Sequence, residues 1–533
     1  MCGIWALFGL DGKPISCICE NFGKISHRIK FLSNNKIRYN IPLKVYVFNF
    51  YNVTSQNGYL GFHRLAIVDC LNGMQPMRLN KYPYLFLLCN GEIYNCNKLE
   101  EQYNFQYTTK CDVEVILHLY AQGGSDNIAR SLDGVFAFCL LDIKQKKIII
   151  GRDPYGVRPL FKLYSNSGHL AISSESKVIL KLAFLNIHIL INFIIHNAHT
   201  ILFSAAVEKR LLADRRIGCL LSGGLDSSLV AATLVQCAKK HKLPYKIQSF
   251  AIGMGDSPDI IAARQVASYI GTEHHEIIFS SEDVAEILDK VIYHLETFDI
   301  TTIRASVGMY IISRYISQNT ETTVIFSGEG ADELAQGYIY FRDAPTAMDA
   351  HNESIRLLKD IYLYDGLRAD RTTSAFSLEL RVPFLDIQFT NYYLSLDILF
   401  NTGGIEKYLL RSAFNGTGIL PSKILWRHKE AFSDGVTSIK KSLFQIIQDI
   451  VEDKVQDEDL AKTHIKYPHC TPKTKEALYY RNVFESYYGG QAETFIPYFW
   501  MPRWVKDIVD PSARFINHYS ADVDSNNGHQ IEN

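Results

Sequence analysis

The sequence predicts a mixed α/β and α+β fold, in which stacked antiparallel sheets are followed by a parallel sheet with helices. Three observations indicate this architecture. The 533 residues exceed the size at which a single hydrophobic core stops growing, so we expect two or three domains. Short β-type runs separated by turn signals fill roughly the first 180 residues. Strand and helix patterns alternate from about residue 210.

The N-terminal runs are short, apolar and regularly interrupted. They are Ile4–Phe8, Leu85–Cys89, Val135–Leu141 and Ile148–Ile150. The turn signals between them are Asn72-Gly73, Asn90-Gly91 and Asp133-Gly134. Because Asn-Gly and Asp-Gly pairs favour tight turns, we expect chain reversals at these points and antiparallel pairing of the strands.

The C-terminal part opens with a β–α–β pattern. It comprises an apolar strand over Ile217–Leu221, a helix over Ser228–His241 and a second strand over Ile247–Ile252. Such a unit favours a parallel sheet whose ligand-binding loops lie at the carboxyl ends of the strands.

The composition is that of an ordinary globular protein, with 47% hydrophobic and 21% charged residues. The formal net charge of −1 gives no electrostatic reason to expect nucleic acid or a membrane surface as a partner. The 11 cysteines show no zinc-ligand spacing, and no secretory signal is recognisable at Met1. We therefore expect free thiols and a cytoplasmic location.

Residues 183–206 form an apolar stretch long enough to span a bilayer. Its Asn and His side chains would need partners in hydrocarbon, and no basic flank marks an orientation. We interpret residues 181–207 as an atypical apolar linker rather than a membrane span. It would join an N-terminal domain over 1–180 to a second domain over 208–519, and the polar tail 520–533 is expected to be disordered.

A loop rich in glycine and hydroxyl groups follows the first C-terminal strand. Gly223 and Gly224 carry no Cβ, so the backbone can approach phosphate oxygens closely, and Ser222, Ser227 and Ser228 add hydroxyl donors. The start of a helix favours the same anion. The loop lacks the lysine of a Walker motif, which argues against γ-phosphate transfer. An ordinary strand-to-helix turn is the alternative for this segment alone.

A second loop of the same character, Ser327–Glu333, follows the apolar strand Thr323–Phe326. Asp226 in the first loop would repel a phosphate group unless a Mg²⁺ ion lay between them. Since both loops are expected at one edge of the sheet, we predict that Asp226 and Asp332 hold a magnesium–pyrophosphate group. Two unrelated acidic turns are the alternative.

The amino terminus is the second candidate for chemistry. Removal of Met1 would leave Cys2 with both a thiol and a free α-amine, whose pKa lies near neutrality. The amine can accept the thiol proton, so one residue would supply nucleophile and base. A cysteine without catalytic function is the alternative.

The segment SGGLDSS resembles the pyrophosphate loop of the ATP pyrophosphatases, which cleave ATP between its α and β phosphates to adenylate a carboxylate. With SGEGADELAQGYIYF (327–341), SLELRVPFLD (377–386) and KEAFSDG (429–435), the resemblance narrows to the glutamine-hydrolysing asparagine synthetases. It implies catalytic roles for Glu329, at a β-aspartyl-AMP intermediate, and for Lys429, which would offset charge as pyrophosphate leaves. It implies an ATP site formed by Leu220, Ser222, Gly223, Gly224, Asp226, Ser227, Ser228, Ile252, Ser327 and Gly328.

The N-terminal part resembles the class II glutamine amidotransferases through GFHRLAIVD (61–69), NGEIYN (90–95), CDVEVILHLY (111–120), LDGVFAF (132–138) and GRDPYGVRPL (151–160). This resemblance implies an αββα sandwich in which Cys2 attacks the glutamine amide and releases ammonia. Arg64 and Asp112 would bind the α-carboxylate and α-amine of glutamine. Asn90 and Gly91 would form the oxyanion hole. The remaining pocket residues would be Leu65, Ala66, Ile67, Val68 and Glu92, which is expected in the same turn as Asn90-Gly91.

Two segments depart from the family pattern. His27-Arg28 runs into an atypical segment, 28–60, instead of the expected Gly-Pro-Asp, and residues 180–206 replace a longer connection. An ammonia-dependent synthetase with impaired glutaminase and a non-catalytic form are therefore alternatives to the full reaction. A further alternative, a β-lactam-forming synthetase of the same fold, is disfavoured because such enzymes generally lack a working N-terminal cysteine.

The expected reaction is ATP-dependent synthesis of asparagine from aspartate and glutamine through β-aspartyl-AMP, giving AMP, pyrophosphate and glutamate. It implies ATP and Mg²⁺ as cofactors, with glutamine, aspartate and ATP as small-molecule substrates. Neither nucleic acid nor a membrane is expected as a partner, and the sequence leaves open whether the protein forms a homodimer.

Overall fold

The computed structural model describes residues 2–8, 44–48, 58–69, 72–145, 147–164, 170–178, 199–255, 257–396, 405–427, 442–505 and 508–511. Several predictions concern residues outside these ranges. They are the catalytic role of Lys429, the linker over 181–198, the tail 520–533 and most of the atypical segment 28–60.

Two antiparallel sheets build the N-terminal part, as the short β-type runs predicted. The strands are β1 Gly3–Phe8, β2 Lys44–Phe48, β3 Gly58–His63, β4 Leu85–Ile93, β5 Gly134–Asp142, β6 Lys147–Arg152, β7 Phe161–Tyr164 and β8 Leu170–Ser173. The first sheet has the strand order β2-β3-β1-β8-β7 and the second has the order β4-β5-β6.

The two sheets stack through an apolar layer because alternate side chains of each strand point to opposite faces. Ile4 and Phe62 of the first sheet are buried together with Leu88 and Leu141 of the second. On the other face of the second sheet, Leu87 packs beneath helices α1 Cys96–Tyr103 and α2 Glu114–Ser131. The predicted arrangement of stacked antiparallel sheets is confirmed.

The predicted turn at Asn90-Gly91 is wrong, since both residues lie within strand β4. This strand pairs with β5 from Leu85, opposite Asp142, to Ile93, opposite Gly134. Gly91 has a φ of +143°, and a Cβ there would lie 2.1 Å from the carbonyl oxygen of Val135. Glycine is therefore required by the close approach of the two strands and not by a chain reversal.

A five-stranded parallel sheet forms the centre of the C-terminal part, as predicted. Its strands are β9 Arg216–Leu220, β10 Gln248–Gly253, β11 Glu273–Ile278, β12 Thr322–Phe326 and β13 Glu379–Arg381. The strand order is β11-β10-β9-β12-β13, so the direction of winding reverses at β9. Such a switch point opens a crevice at the carboxyl ends of the central strands.

Helices cover both faces of this sheet. Alternate residues of β12 accordingly point into two different apolar clusters, Val324 and Phe326 into one and Ile325 into the other. The helices are α3 His199–Glu208, α4 Leu225–Lys240, α5 Pro258–Ile270, α6 Ser281–Leu295, α7 Ile300–Asn319, α8 Ala331–Leu334, α9 Ala347–Asp360, α10 Asp365–Ser374, α11 Ile387–Leu394, α12 Tyr408–Phe414, α13 Ser422–Leu425, α14 Leu443–Glu452, α15 Asp457–Ala461, α16 Thr463–Lys466, α17 Lys475–Tyr488 and α18 Ala492–Phe495.

Helix α3 lies at the end of the apolar stretch and packs against α4 and α11. Its Phe203 is fully buried, with ring contacts to Phe384 and Phe389. This helix is thus part of the C-terminal core. Across the ranges given above, no helix combines the length and the apolar character needed to cross a membrane.

Helix α4 begins at Leu225 rather than at the predicted Ser228. Gly224 has an extended backbone (φ −71°, ψ 165°) and is the residue at which the helix is capped. Asp226 and Ser227 consequently lie in the first helical turn, where backbone N–H groups point towards the crevice end of the sheet.

Candidate active sites

The N-terminal candidate site is built around Cys2, which directly precedes β1. Because β1 and β3 pair with Gly3 opposite His63, Cys2 lies beside the segment Arg64–Asp69 that follows β3. The Cys2 Sγ atom is 3.3 Å from the backbone nitrogen of Leu65 and 3.4 Å from its carbonyl oxygen. Burial raises the pKa of the Cys2 thiol to about 11, although the amino terminus lowers it. Nucleophilic attack at neutral pH therefore needs a base beside the thiol.

Asn90 provides a buried donor on strand β4. It is 1% exposed, and its Nδ2 atom has no hydrogen-bond partner among the residues that the structure describes. A buried amide without a partner costs free energy, which favours a ligand oxygen as the missing acceptor. Glu92, two residues further along the strand, is close enough to raise the pKa of the Cys2 thiol.

Arg64 lies near this cysteine, and the carboxyl group of Asp112 lies beside the end of strand β4. The Arg64 guanidinium donates to the carbonyl oxygen of Asp69, and Asp112 accepts a 2.6 Å hydrogen bond from the N–H group of Ile93. Burial raises the pKa of Asp112 to about 7, against the lowering effect of that hydrogen bond. A guanidinium and a carboxylate placed in this way can bind the two charged groups of an α-amino acid.

A cleft of about 220 Å³ lies at the crevice between β9 and β12. Gly223, Ser228 and Ile252 do not line the cleft: Gly223 packs against helix α5, and the other two are buried. The predicted residues that do line it are Leu220, Ser222, Gly224, Asp226, Ser227, Ser327, Gly328, Glu329 and Asp332.

The two glycine-bearing loops contact each other directly. A Cβ on Gly328 would lie 2.9 Å from the backbone nitrogen of Ser227 and from the Cβ of Asp226. Within the first loop, Ser222 Oγ is 3.0 Å from Ser227 Oγ and accepts a 3.3 Å hydrogen bond from the N–H group of Gly224. The hydroxyl and backbone donors of both loops therefore converge on one small region.

Lys407 lies between the two carboxylates that were predicted to share a metal ion. Its Nζ atom contacts Oδ2 of Asp226 and lies 2.6 Å from Oδ1 of Asp332. Burial opposes the charge of Lys407, but the two carboxylates raise its pKa above the ordinary value. The carboxylates at 226 and 332 thus face each other across the space of one cation, which here is an ammonium group.

Glu329 adds a second charged contact in the cleft. Its Oε2 atom forms a 2.8 Å ion pair with Nη2 of Arg368. Burial raises the pKa of Glu329 to about 7, with Asp365 and Asp332 adding to this effect and Arg368 opposing it. Because this carboxyl group changes charge near neutral pH, it can respond to a charged substrate.

Sequence reasoning missed the charged residues that the C-terminal domain brings to the cleft from outside the two loops. The available signal was a charged pair, Glu406-Lys407, directly before the apolar helix α12. That signal identifies a charged position but not its location at the cleft, which depends on tertiary packing. The missed residues are Asp259, Arg368, Glu406, Lys407, Arg411 and Arg427.

A buried charged cluster joins the two candidate sites. Arg158 Nη2 lies 3.2 Å from Oε2 of Glu92 and donates to the carbonyl oxygen of Leu380 in β13 at 3.2 Å. The carboxyl groups of Glu92 and Glu379 lie close enough for each to shift the pKa of the other. Burial and Glu379 raise the pKa of Glu92, whereas Arg381 lowers the pKa of Glu379 to about 2 despite burial. Within this cluster the two carboxyl groups thus meet two guanidinium groups, those of Arg158 and Arg381.

The N-terminal part has the stacked antiparallel sheets and leading cysteine of an amidotransferase. The C-terminal part has the parallel sheet of an ATP pyrophosphatase domain, with glycine-rich loops at its switch point. Family models agree with this class: residues 50–206 match "Glutamine amidotransferase domain", and residues 200–352 and 344–505 match "Asparagine synthase". The chain belongs to the asparagine synthase family.

Curated relatives match along nearly the whole chain, and those described here are each named "Asparagine synthetase [glutamine-hydrolyzing]". The protein of Bos taurus is 50% identical over 578 residues, which cover 98% of this chain and 99% of the relative. The protein of Homo sapiens is 50% identical over 580 residues, covering 98% and 100%. The protein of Gallus gallus is 48% identical over 577 residues, covering 98% and 100%.

Proposed function

We propose that this protein synthesises asparagine from aspartate, glutamine and ATP through a β-aspartyl-AMP intermediate, releasing AMP, pyrophosphate and glutamate. The observation that carries the proposal is the contact between the loops after β9 and β12, where Asp226 and Asp332 face one cation. Family membership supports the same reaction.

In the N-terminal site, Cys2 would attack the side-chain amide of glutamine. Burial keeps the thiol protonated at neutral pH. The α-amine exposed by removal of Met1 would therefore act as the base that accepts the thiol proton. Asn90 Nδ2 and the backbone of Gly91 would donate to the oxyanion. Arg64 and Asp112 would hold the α-carboxylate and α-ammonium groups, with Leu65, Ala66, Ile67, Val68 and Glu92 completing the pocket.

In the C-terminal site, the loops would bind the phosphates of ATP through backbone N–H groups and the hydroxyls of Ser222, Ser227 and Ser327. Glu329 and Arg368 would orient the aspartate derivative as the β-carboxylate is adenylated. The predicted role of Lys429, charge neutralisation as pyrophosphate leaves, completes this proposal.

We assign Asp226 and Asp332 as the protein ligands of a Mg²⁺ ion. They fit this role because they already hold a cation, the ammonium group of Lys407, between them. No group of three or more His, Cys, Asp or Glu side chains that could hold a metal occurs in the described ranges, so phosphates and water would supply the other ligands. Bound Mg²⁺ would stabilise the negative charge of the pyrophosphate group.

The remaining predictions concern the setting of the enzyme. The cysteines that the structure describes are free thiols, which fits a reducing compartment such as the cytoplasm. The domain limits 1–180 and 208–519 and the lack of nucleic-acid and membrane partners stay predictions from the sequence, which leaves the oligomeric state open.

Product analysis tests the proposal. The protein is incubated with aspartate, Mg²⁺ and ATP labelled in its α and γ phosphates, with either glutamine or ammonium chloride. We expect asparagine, AMP and pyrophosphate with both nitrogen donors, and glutamate with glutamine alone. Formation of ADP and phosphate would contradict the proposal. Asparagine from ammonium only would support the glutaminase-impaired alternative, and nucleotide binding without turnover would support the non-catalytic one.

A further inference from the structure

The segment Arg64–Asp69 of the N-terminal domain is held by two consecutive residues of the C-terminal part. The N–H group of Asp214 donates to the carbonyl oxygen of Ile67 at 2.8 Å. Arg215 Nε donates to the carbonyl oxygen of Ala66 at 2.8 Å. The carboxylate of Asp214 accepts a 3.0 Å hydrogen bond from the N–H group of Asp69.

Asp69 is the residue through which this contact reaches the glutamine-binding groups. It has a left-handed backbone with a φ of +49°, which a residue other than glycine adopts only at a cost in free energy. Its carbonyl oxygen accepts from Arg64. Its carboxylate accepts from the N–H groups of Asn72 at 3.0 Å and of Lys110, two residues before Asp112, at 2.8 Å.

The same segment also contacts the nucleophile, because the N–H group of Leu65 points at Cys2 Sγ from 3.3 Å. Displacement of Asp69 would therefore move Arg64 and the Leu65 contact together. Arg215 is directly followed by β9, the central strand whose other end carries the nucleotide loop. The wall of the N-terminal pocket is thus attached to the first strand of the ATP-binding sheet.

We infer that Asp214 and Arg215 are positioning residues for glutamine, so that docking of the C-terminal domain completes the glutamine pocket. The inference rests on the proposed function of the N-terminal site. Neither Asp214 nor Arg215 would contact glutamine itself. Both act through the Arg64–Asp69 segment, by holding Asp69 in its left-handed conformation and fixing the carbonyl groups of Ala66 and Ile67.

The test compares full-length Asp214→Ala, Asp214→Asn and Arg215→Ala variants with the wild-type protein. Loss of one hydrogen bond predicts that the KM for glutamine rises about threefold to tenfold in Asp214→Ala and in Arg215→Ala. Ammonia-dependent asparagine synthesis should stay unchanged, since the ATP site is untouched. Asp214→Asn keeps an acceptor oxygen for Asp69 and should restore the wild-type KM.

Arg216→Ala is the matched control, because this neighbouring arginine instead pairs with Glu273 at 2.8 Å within the C-terminal sheet. An unchanged KM for glutamine in the Ala variants, or an equal loss of ammonia-dependent synthesis, would overturn the inference. If the wild-type protein forms no glutamate from glutamine, the proposed glutaminase fails first, which is a distinct result.

Discussion

At the scale of single residues, the N-terminal site is marked by polar groups that the fold buries. Asn90 Nδ2 is a buried donor without a partner in the described residues, and Asp112 is a buried carboxyl group with a pKa of about 7. Neither environment favours stability, since unpaired donors and buried acids cost free energy. Both become favourable once a ligand with an oxygen acceptor and an ammonium group is bound.

Asn90→Ala tests the oxyanion donor. Removing one such donor should lower the kcat of glutamine hydrolysis by about 10²–10³ while the KM for glutamine changes little. Ammonia-dependent asparagine synthesis should remain at the wild-type rate. Asn97→Ala, at an exposed position of α1, is the control and should leave both rates unchanged. A glutaminase rate within a factor of about two of wild type would be incompatible with an oxyanion hole at Asn90.

Asp112 predicts a pH dependence of glutamine binding. The carboxyl group is neutral below its pKa of about 7 and charged above it, so it attracts the glutamine ammonium group only above that pH. The Kd of glutamine should therefore increase as pH falls, approaching about tenfold per pH unit. Calorimetric titration of a Cys2→Ala variant measures this without turnover. Asp112→Asn should bind weakly and independently of pH, and a flat Kd profile in the Cys2→Ala background would contradict the assignment.

At the scale of secondary-structure elements, the sequence predicts the loops better than the residues that contact them. Strand patterns before SGGLDSS and SGEGADE were sufficient to place both loops at one sheet edge, because parallel strands end at the same edge. The predicted turn at Asn90-Gly91 was wrong, because a glycine needed for the close approach of two strands looks the same in the sequence as a turn glycine. Lys407 was missed because its role depends on packing between distant segments.

Lys407→Met tests the contact between the two loops. Without the ammonium group, Asp226 and Asp332 would lose a cation between them. We expect a loss of about 2 kcal/mol in the free energy of unfolding, below the roughly 3–5 kcal/mol of a fully buried pair because both carboxylates are partly exposed. Added Mg²⁺ should restore part of the lost free energy of unfolding. Without nucleotide, the variant should bind Mg²⁺ more tightly than the wild-type protein does.

The control is Lys423→Met, which removes an exposed lysine of helix α13. Denaturant unfolding and Mg²⁺ titration are measured for the variants and the wild-type protein. If Lys407→Met binds Mg²⁺ no better than Lys423→Met, the two carboxylates do not form a cation site.

At the scale of the whole molecule, the two domains are connected by polar contacts rather than by a linker alone. Arg158 bridges Glu92 and the carbonyl group of Leu380, and Asp214 contacts Asp69. The sequence predicted two domains from length and from the change of pattern. It could not predict this interface, because residues more than 200 positions apart, such as Arg158 and Leu380, meet only in the folded chain.

This interface bears on the central claim that both sites work as one enzyme. Under the proposed function, ammonia released at Cys2 into bulk water would be protonated at neutral pH and lost as a nucleophile, so we expect it to pass directly between the domains. The enzyme is given glutamine labelled with ¹⁵N in its amide group, together with excess unlabelled ammonium. Mass spectrometry then determines the ¹⁵N content of the asparagine formed. We expect asparagine that carries mainly ¹⁵N, with one AMP per asparagine. Asparagine with the isotope content of the bulk ammonium would contradict it.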